Sequence, residues 1–114
     1  MKSKILALSK NEEFKNLLKR KKISNKYVSI FFGKLLNKDK KRLNISFVTK
    51  KKIGNAVKRN KIRRKLKAIV HKLLKKRGAI NRDYTYIVFG KSNAYAEKQN
   101  VLMPVMIKCF NKIK

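Results

Sequence analysis

Six apolar residues, Ile62, Leu66, Ile69, Val70, Leu73 and Leu74, stand at intervals of 4, 3, 1, 3 and 1 inside a stretch otherwise dominated by Lys and Arg. That spacing is one face of a 3.6-residue period, and it predicts a helix over residues 55–76. Gly54 suits a tight turn ahead of it, Asn55 can cap it, and Gly78 is a stop signal just past its end. A helix with such a face needs a sheet or another helix to cover it, so the chain must build a layered core around it. At about 100° per residue, Asn60, Arg63, Arg64, Lys67 and His71 fall within one arc of roughly 100°, away from the centre of the apolar face. Arg59 falls nearer the apolar arc. One side of the helix can therefore dock while another presents a compact cationic strip.

The charge of the whole chain says what such a strip is for. Lys and Arg total 34 against 5 acids in 114 residues, a net charge of +29. A compact chain so charged repels itself, and a polyanionic partner relieves that repulsion. The candidates are nucleic acid and an anionic membrane surface. Hydrophobic residues make up 43%, enough for a core in a chain whose length suits one domain. No apolar run approaches the ~18 residues of a membrane span, and "ILAL" near the start is too short for a signal-peptide core. The single Cys109 has no internal disulfide partner, which fits a reducing compartment, and its simplest role is that of a small apolar residue in a helix. The chain therefore reads as soluble and cytoplasmic. Lys outnumbers Arg by 27 to 7, yet three of the seven Arg lie between residues 59 and 64. A guanidinium gives phosphate a planar fork and can stack on bases, which an ammonium cannot do.

A catalytic set is missing from this reading. The acids Glu12, Glu13, Asp39, Asp83 and Glu97 are scattered, and His71 is the only histidine. There is no Cys/His cluster for zinc, no glycine-rich phosphate loop, and no Ser or Cys with an evident base. His71, within a basic helix, suits a polar or phosphate contact better than catalysis.

The other elements follow from local pattern. Ser9, followed three residues later by Glu12, forms a capping box for a first helix whose stripe is Phe14, Leu17 and Leu18. Residues 26–36 and 43–50, rich in β-branched and aromatic side chains, read as two strands paired in an antiparallel hairpin across the polar turn 37–42. Residues 22–24 can add a short strand. Alternation puts Tyr27, Ser29 and Phe31 on one face and Val28, Ile30 and Phe32 on the other. Residues 83–89 read as a further strand, and residues 93–111 as a last helix with Pro104 inside it, kinking it or delaying its start. The order helix, strands, helix, strand, helix is that of a single α+β sandwich, with 1–114 as one domain. Exposed aromatics on a basic surface would stack on bases, with Phe14, Tyr27, Phe31, Phe32 and Phe47 as candidates.

"KKIGNAVKRNKIRRKLK", residues 51–67, resembles the signature of the bacterial ribonuclease P protein family, and "LSKNEEF" upstream resembles that family's first-helix opening. The order of elements is similar over nearly the whole chain. The resemblance implies the protein subunit of a ribonucleoprotein endonuclease that removes the 5′ leader of precursor tRNA. Its catalytic RNA would do the chemistry and hold the Mg2+. It implies a fold like the second domain of a small-subunit ribosomal protein, with order α-β-β-(β)-α-β-α and a left-handed βαβ crossover that breaks the usual hand. By position, Arg59, Asn60, Lys61, Arg63, Arg64 and Lys67 match the motif that faces the catalytic RNA. Phe14, Leu18, Ser29, Phe31 and Lys51 match the cleft that receives the single-stranded leader. Lys61 and Lys67 stand where the family favours Arg, Leu18 where an aromatic is common, and Phe31 where Tyr is common. The implied partners are ribonuclease P RNA and precursor tRNA, with no membrane and no protein partner required.

Three other readings compete. A ribosomal protein would share the composition, but such proteins often carry basic tails without apolar pattern, and here the pattern runs almost to Phe110. A helix-turn-helix needs a helix just before the basic one, where the sequence reads as strand. A membrane-surface helix would leave its apolar face to lipid, whereas here a sheet can bury it.

Overall fold

The computed structural model describes residues 5–6, 11–34, 43–76 and 78–113, with side chains from Lys15 onward. Five strands form one mixed sheet: β1 (Ile5–Leu6), β2 (Lys21–Ser24), β3 (Val28–Lys34), β4 (Leu43–Val48) and β5 (Tyr84–Gly90), in the spatial order β1-β4-β5-β3-β2. Helix α1 (Asn11–Leu18) precedes β2, α2 (Ala56–Leu73) joins β4 to β5, and α3 (Gln99–Lys112) follows β5. The Cα radius of gyration, 13.3 Å, is what one compact domain of this length should have.

Strands β2 and β3 form a tight hairpin. Asn25 Oδ1 accepts from the amides of Tyr27 (2.8 Å) and Val28 (3.0 Å), the local bonding by which Asn favours turns. The pairing expected between β3 and β4 does not occur. Strand β5 lies between them, antiparallel to β3 and parallel to β4. The reason is burial. Tyr86, Ile87 and Val88 are consecutive and all fully buried, so β5 is apolar on both faces and belongs in the centre of the sheet. β4–α2–β5 is thus a parallel βαβ crossover, as the resemblance requires. Strand and 3-10 turn, rather than a helix, lead into α2, which removes the helix-turn-helix reading.

Helices α2 and α3 cover one face of the sheet. Ile62, Leu66, Ile69, Val70 and Leu73 of α2, and Leu102, Met106, Cys109 and Phe110 of α3, join Val28, Ile30, Phe32, Leu43, Ile45, Tyr86 and Val88 in one core. The 3.6-residue period predicted the helix faces, strand alternation grouped Val28, Ile30 and Phe32 on one side without saying which side is core, and Cys109 has the apolar place expected of it. Gly90 sets how closely α2 approaches: a Cβ there would lie 2.4 Å from Ile62 Cγ2 and 3.0 Å from Leu66 Cδ1. Gly78, past the end of α2, has φ of +76°, a conformation glycine adopts without strain.

Two expected boundaries move. The short strand expected over residues 22–24 is one residue longer and forms β2, Lys21–Ser24. The last helix starts at Gln99 rather than residue 93, because the carbonyls of Ala94, Tyr95 and Glu97 turn toward Lys65 of α2 and do not enter a helical ladder. Pro104 then sits at an exposed position inside α3. Ser9 of the capping box, the turn 37–42 and the predicted strand end 35–36 lie outside the described residues, as does the side chain of Phe14.

Candidate nucleic-acid interface

Among the described residues, α1 is the one helix on the opposite face of the sheet. That helix has 8 residues, about 12 Å of length, while the 7-residue strands β3 and β5 each run roughly 23 Å. A helix half the length of the strands beneath it cannot close the face. The remainder is a cavity of about 530 Å³.

Its floor is Ser29, Phe31 and Phe89, with Leu18 at the end of α1 on one side. The Phe31 and Phe89 rings meet edge to face, with centroids 5.5 Å apart. Lys22, Lys50, Lys52 and Lys91 stand around this floor, and among the described residues no acid lines it. The Lys22 ammonium lies 5.7 Å from the Phe31 centroid. Lys91 donates to Ser24 Oγ (2.9 Å) and to the Asn25 carbonyl (2.6 Å), and Ser24 shares a 2.8 Å hydrogen bond with Ser29. An apolar aromatic floor ringed by cations suits extended single-stranded nucleic acid, where stacking and phosphate contacts are tolerant of sequence.

Of the residues matched to the family's cleft, the structure brings Leu18, Ser29 and Phe31 together. Lys51 is not among the lining residues. It lies on the 3-10 turn Lys51–Ile53, exposed, while its neighbours Lys50 and Lys52 line the cavity. Three of the other candidate aromatics belong elsewhere. Phe32 is buried in the core edge to face with Tyr84, Phe47 packs against that core, and Tyr27 turns its hydroxyl to Glu97. Phe89 is the residue that sequence reading missed. Its parity along β5, opposite to Tyr86 and Val88, was the available signal.

The turn Lys51–Ile53 leads from the cavity wall directly into α2. Asn55 caps that helix, with Oδ1 accepting from the Lys58 amide at 2.9 Å. No acid follows in the first turn. Lys58 and Arg59 stand instead at the positive end of the helix dipole, an arrangement that costs about 0.3–1 kcal/mol per cation when no anion offsets it. Lys61, Arg64 and Lys67 are exposed along the helix, as is Asn60, while Arg59, Arg63 and His71 are half-buried. Arg63 donates to Thr49 Oγ1 (3.1 Å) and to Asn60 Oδ1, which orients both members of the strip and ties it to the end of β4. The Nε of Arg59 is buried without a hydrogen-bond partner.

A second row of cations on α2 faces the segment after β5. Lys58 and Lys61 lie 5.1 and 4.9 Å from the Tyr95 ring centroid. Lys65 donates to the carbonyls of Ala94 (3.3 Å), Tyr95 and Glu97 (2.6 Å). Partial burial is the main influence on its ammonium and lowers its pKa from the ordinary lysine value; Lys61 acts in the same sense and Glu97 opposes. Among the described residues no three His, Cys, Asp or Glu side chains converge as a metal site, and no helix is long and apolar enough to cross a membrane.

The fold and this basic surface place the chain in a known class. Solved structures share its architecture: the ribonuclease P protein of Thermotoga maritima (TM-score 0.73, 19% identity, covering 96% of this chain and 98% of that one) and that of Staphylococcus aureus (TM-score 0.71, 24% identity, 94% and 93%). The ribonuclease P family model matches residues 3–114. The ribonuclease P protein component of Mycoplasma mycoides is 31% identical over 107 residues, 94% of each chain. That of Carboxydothermus hydrogenoformans is 40% identical over 68 residues, covering 58% of this chain and 57% of the relative. The chain belongs to the ribonuclease P protein family.

Proposed function

We propose that this chain is the protein subunit of a cytoplasmic ribonuclease P, binding the catalytic RNA through α2 and the 5′ leader of precursor tRNA in the cleft. The observation that carries the reading is the continuity of the two surfaces. The lysine-bearing turn at the cleft wall runs straight into the arginine-rich helix, so two RNA segments can be held side by side.

The division of labour follows from chemistry. Arg59, Arg63 and Arg64 offer planar forks, and Lys61 and Lys67 point charges, to phosphates of the structured RNA; Asn60 adds a polar contact. Each phosphate neutralised releases counterions, so affinity falls steeply with salt. In the cleft, Phe31 and Phe89 stack on unpaired bases, at about 1–3 kcal/mol per base, and Lys22, Lys50, Lys52 and Lys91 follow the backbone. Ser29 on the floor and Leu18 at its side complete the cleft, Lys51 adds charge nearby, and a leader contact for Phe14 rests on the family match alone. The leader is absent from mature tRNA, so the cleft favours substrate over product. Magnesium belongs to the RNA in this reading, since this chain's few acids form no cluster among the described residues, and every step assigned to the chain is one of binding and orientation.

Reconstitution tests the proposal. Mixed with a bacterial ribonuclease P RNA at low magnesium, the protein should raise leader release above that of the RNA alone and do nothing without the RNA. Binding to the RNA with cleavage unchanged would place the chain among general RNA binders.

A further inference from the structure

Lys65 lies in the middle of the basic motif but is turned away from its outward strip. An ammonium has three N–H donors and no acceptor. The carbonyls of Ala94, Tyr95 and Glu97 engage it three times over. The segment it holds, residues 91–97, is tied at its other side to the β2–β3 hairpin. The Lys91 amide donates to the Tyr27 carbonyl (2.8 Å), Asn93 Nδ2 to the Lys26 carbonyl (3.2 Å), and the Tyr27 hydroxyl to Glu97 Oε2 (2.7 Å). Lys91 and Ser92, at the start of this doubly anchored segment, are part of the cleft lining.

We propose that Lys65 is a positioning residue for the leader: by holding residues 94–97 against α2 it sets Lys91 and Ser92 in the cleft wall, and so tunes the preference for leader-bearing over leaderless tRNA. The inference rests on the function proposed above. It makes one lysine of the RNA-binding helix act on substrate selection without touching a phosphate. That separates it from Arg64 and Lys67, whose charges face outward on the same helix.

The test is a holoenzyme assay with the catalytic RNA saturated by protein. Lys65→Met keeps the aliphatic stem and removes the ammonium. Its leader-bearing substrate should show a KM raised about fivefold, the size of one lost hydrogen-bonded anchor, with kcat and mature-tRNA affinity unchanged. The salt slope for binding the catalytic RNA should match wild type. Lys65→Arg keeps the charge but presents a planar fork that cannot converge on three carbonyls, so it should resemble the Met variant. Tyr27→Phe, which loosens the far anchor by removing one hydroxyl, should shift KM in the same direction by less, and serves if Lys65→Met folds poorly. A Met variant with wild-type leader preference overturns the proposal. So does a salt slope reduced by about one and restored in the Arg variant, which would mark an ordinary phosphate contact. A wild-type holoenzyme with no leader preference would overturn the leader-binding function itself.

Discussion

Val28, Ile30 and Phe32 alternate along β3 with Ser29 and Phe31, so one strand serves two unlike faces. On the first face the side chains meet α2 and α3, of 18 and 14 residues, and are closed off from water. On the second, the same strand and its neighbour β5 meet an 8-residue helix and remain partly open. The first face consists almost wholly of aliphatic and aromatic residues. The second mixes Phe31 and Phe89 with Ser29, Asn44, Ser46 and Thr85. The difference teaches that strand parity separates a closed core face from a partly open aromatic one here, and that under the proposed function it is the face beneath the short helix that is left to bind.

That division is broken most severely by Tyr86→Ala. Tyr86 is fully buried, edge to face with Phe110, and its loss should cost about 3–5 kcal/mol of stability, read as a lowered denaturant midpoint. Phe31→Ala, on the other face, should reverse the pattern. Binding of leader-bearing tRNA should weaken by about 1–3 kcal/mol, while the unfolding midpoint moves far less than in Tyr86→Ala. An equal loss for mature tRNA would show that Phe31 does not meet the leader.

A finer cut is Tyr86→Phe. The Tyr86 hydroxyl donates to the Asn81 carbonyl at 2.6 Å, and burial, aided by Tyr84 and Asp83, holds its pKa above the ordinary tyrosine value. The folded-state pKa is raised, so the contribution is complete below the unfolded value of about 10 and is lost as pH rises beyond it. Wild type should therefore exceed the Phe variant by about 1 kcal/mol at pH 8, and thermal melts should show the gap narrowing above pH ~10. A gap that stays constant into strong alkali would contradict the buried donor. Smallest in free energy is Arg64→Ala, which should leave stability unchanged and reduce the salt slope for catalytic-RNA binding by about one phosphate.

Much of the covered face was legible in the sequence because burial there obeys a period. Ile62 through Leu73 were assigned to the docking face of α2 by spacing alone. Alternation grouped Val28, Ile30 and Phe32 on one face of β3 without telling which face is core, since aromatics stand on both. Asn55 and Gly78 were legible because each has a local job. Strand order was not, since periodicity is local and only the two-sided burial of β5 explains why it separates β3 from β4. In the cleft, parity placed Ser29 and Phe31 together, but not Phe89 or the exchange of Lys51 for its neighbours on a 3-10 turn. Lys65 was invisible among so many cations; its orientation depends on carbonyls about thirty residues away.

The absence of any acid in the first turn of α2 has a consequence for how the cell would handle this protein. A ligand that binds only the folded state adds stability that grows with its concentration, about 2.7 kcal/mol at a hundredfold excess over Kd. A chain whose own helix start is electrostatically unfavourable gains that increment from its RNA and lacks it when alone. Copies made in excess of the RNA would then be the more readily unfolded ones and the first removed by proteolysis. Subunit dosage would then follow RNA supply through turnover.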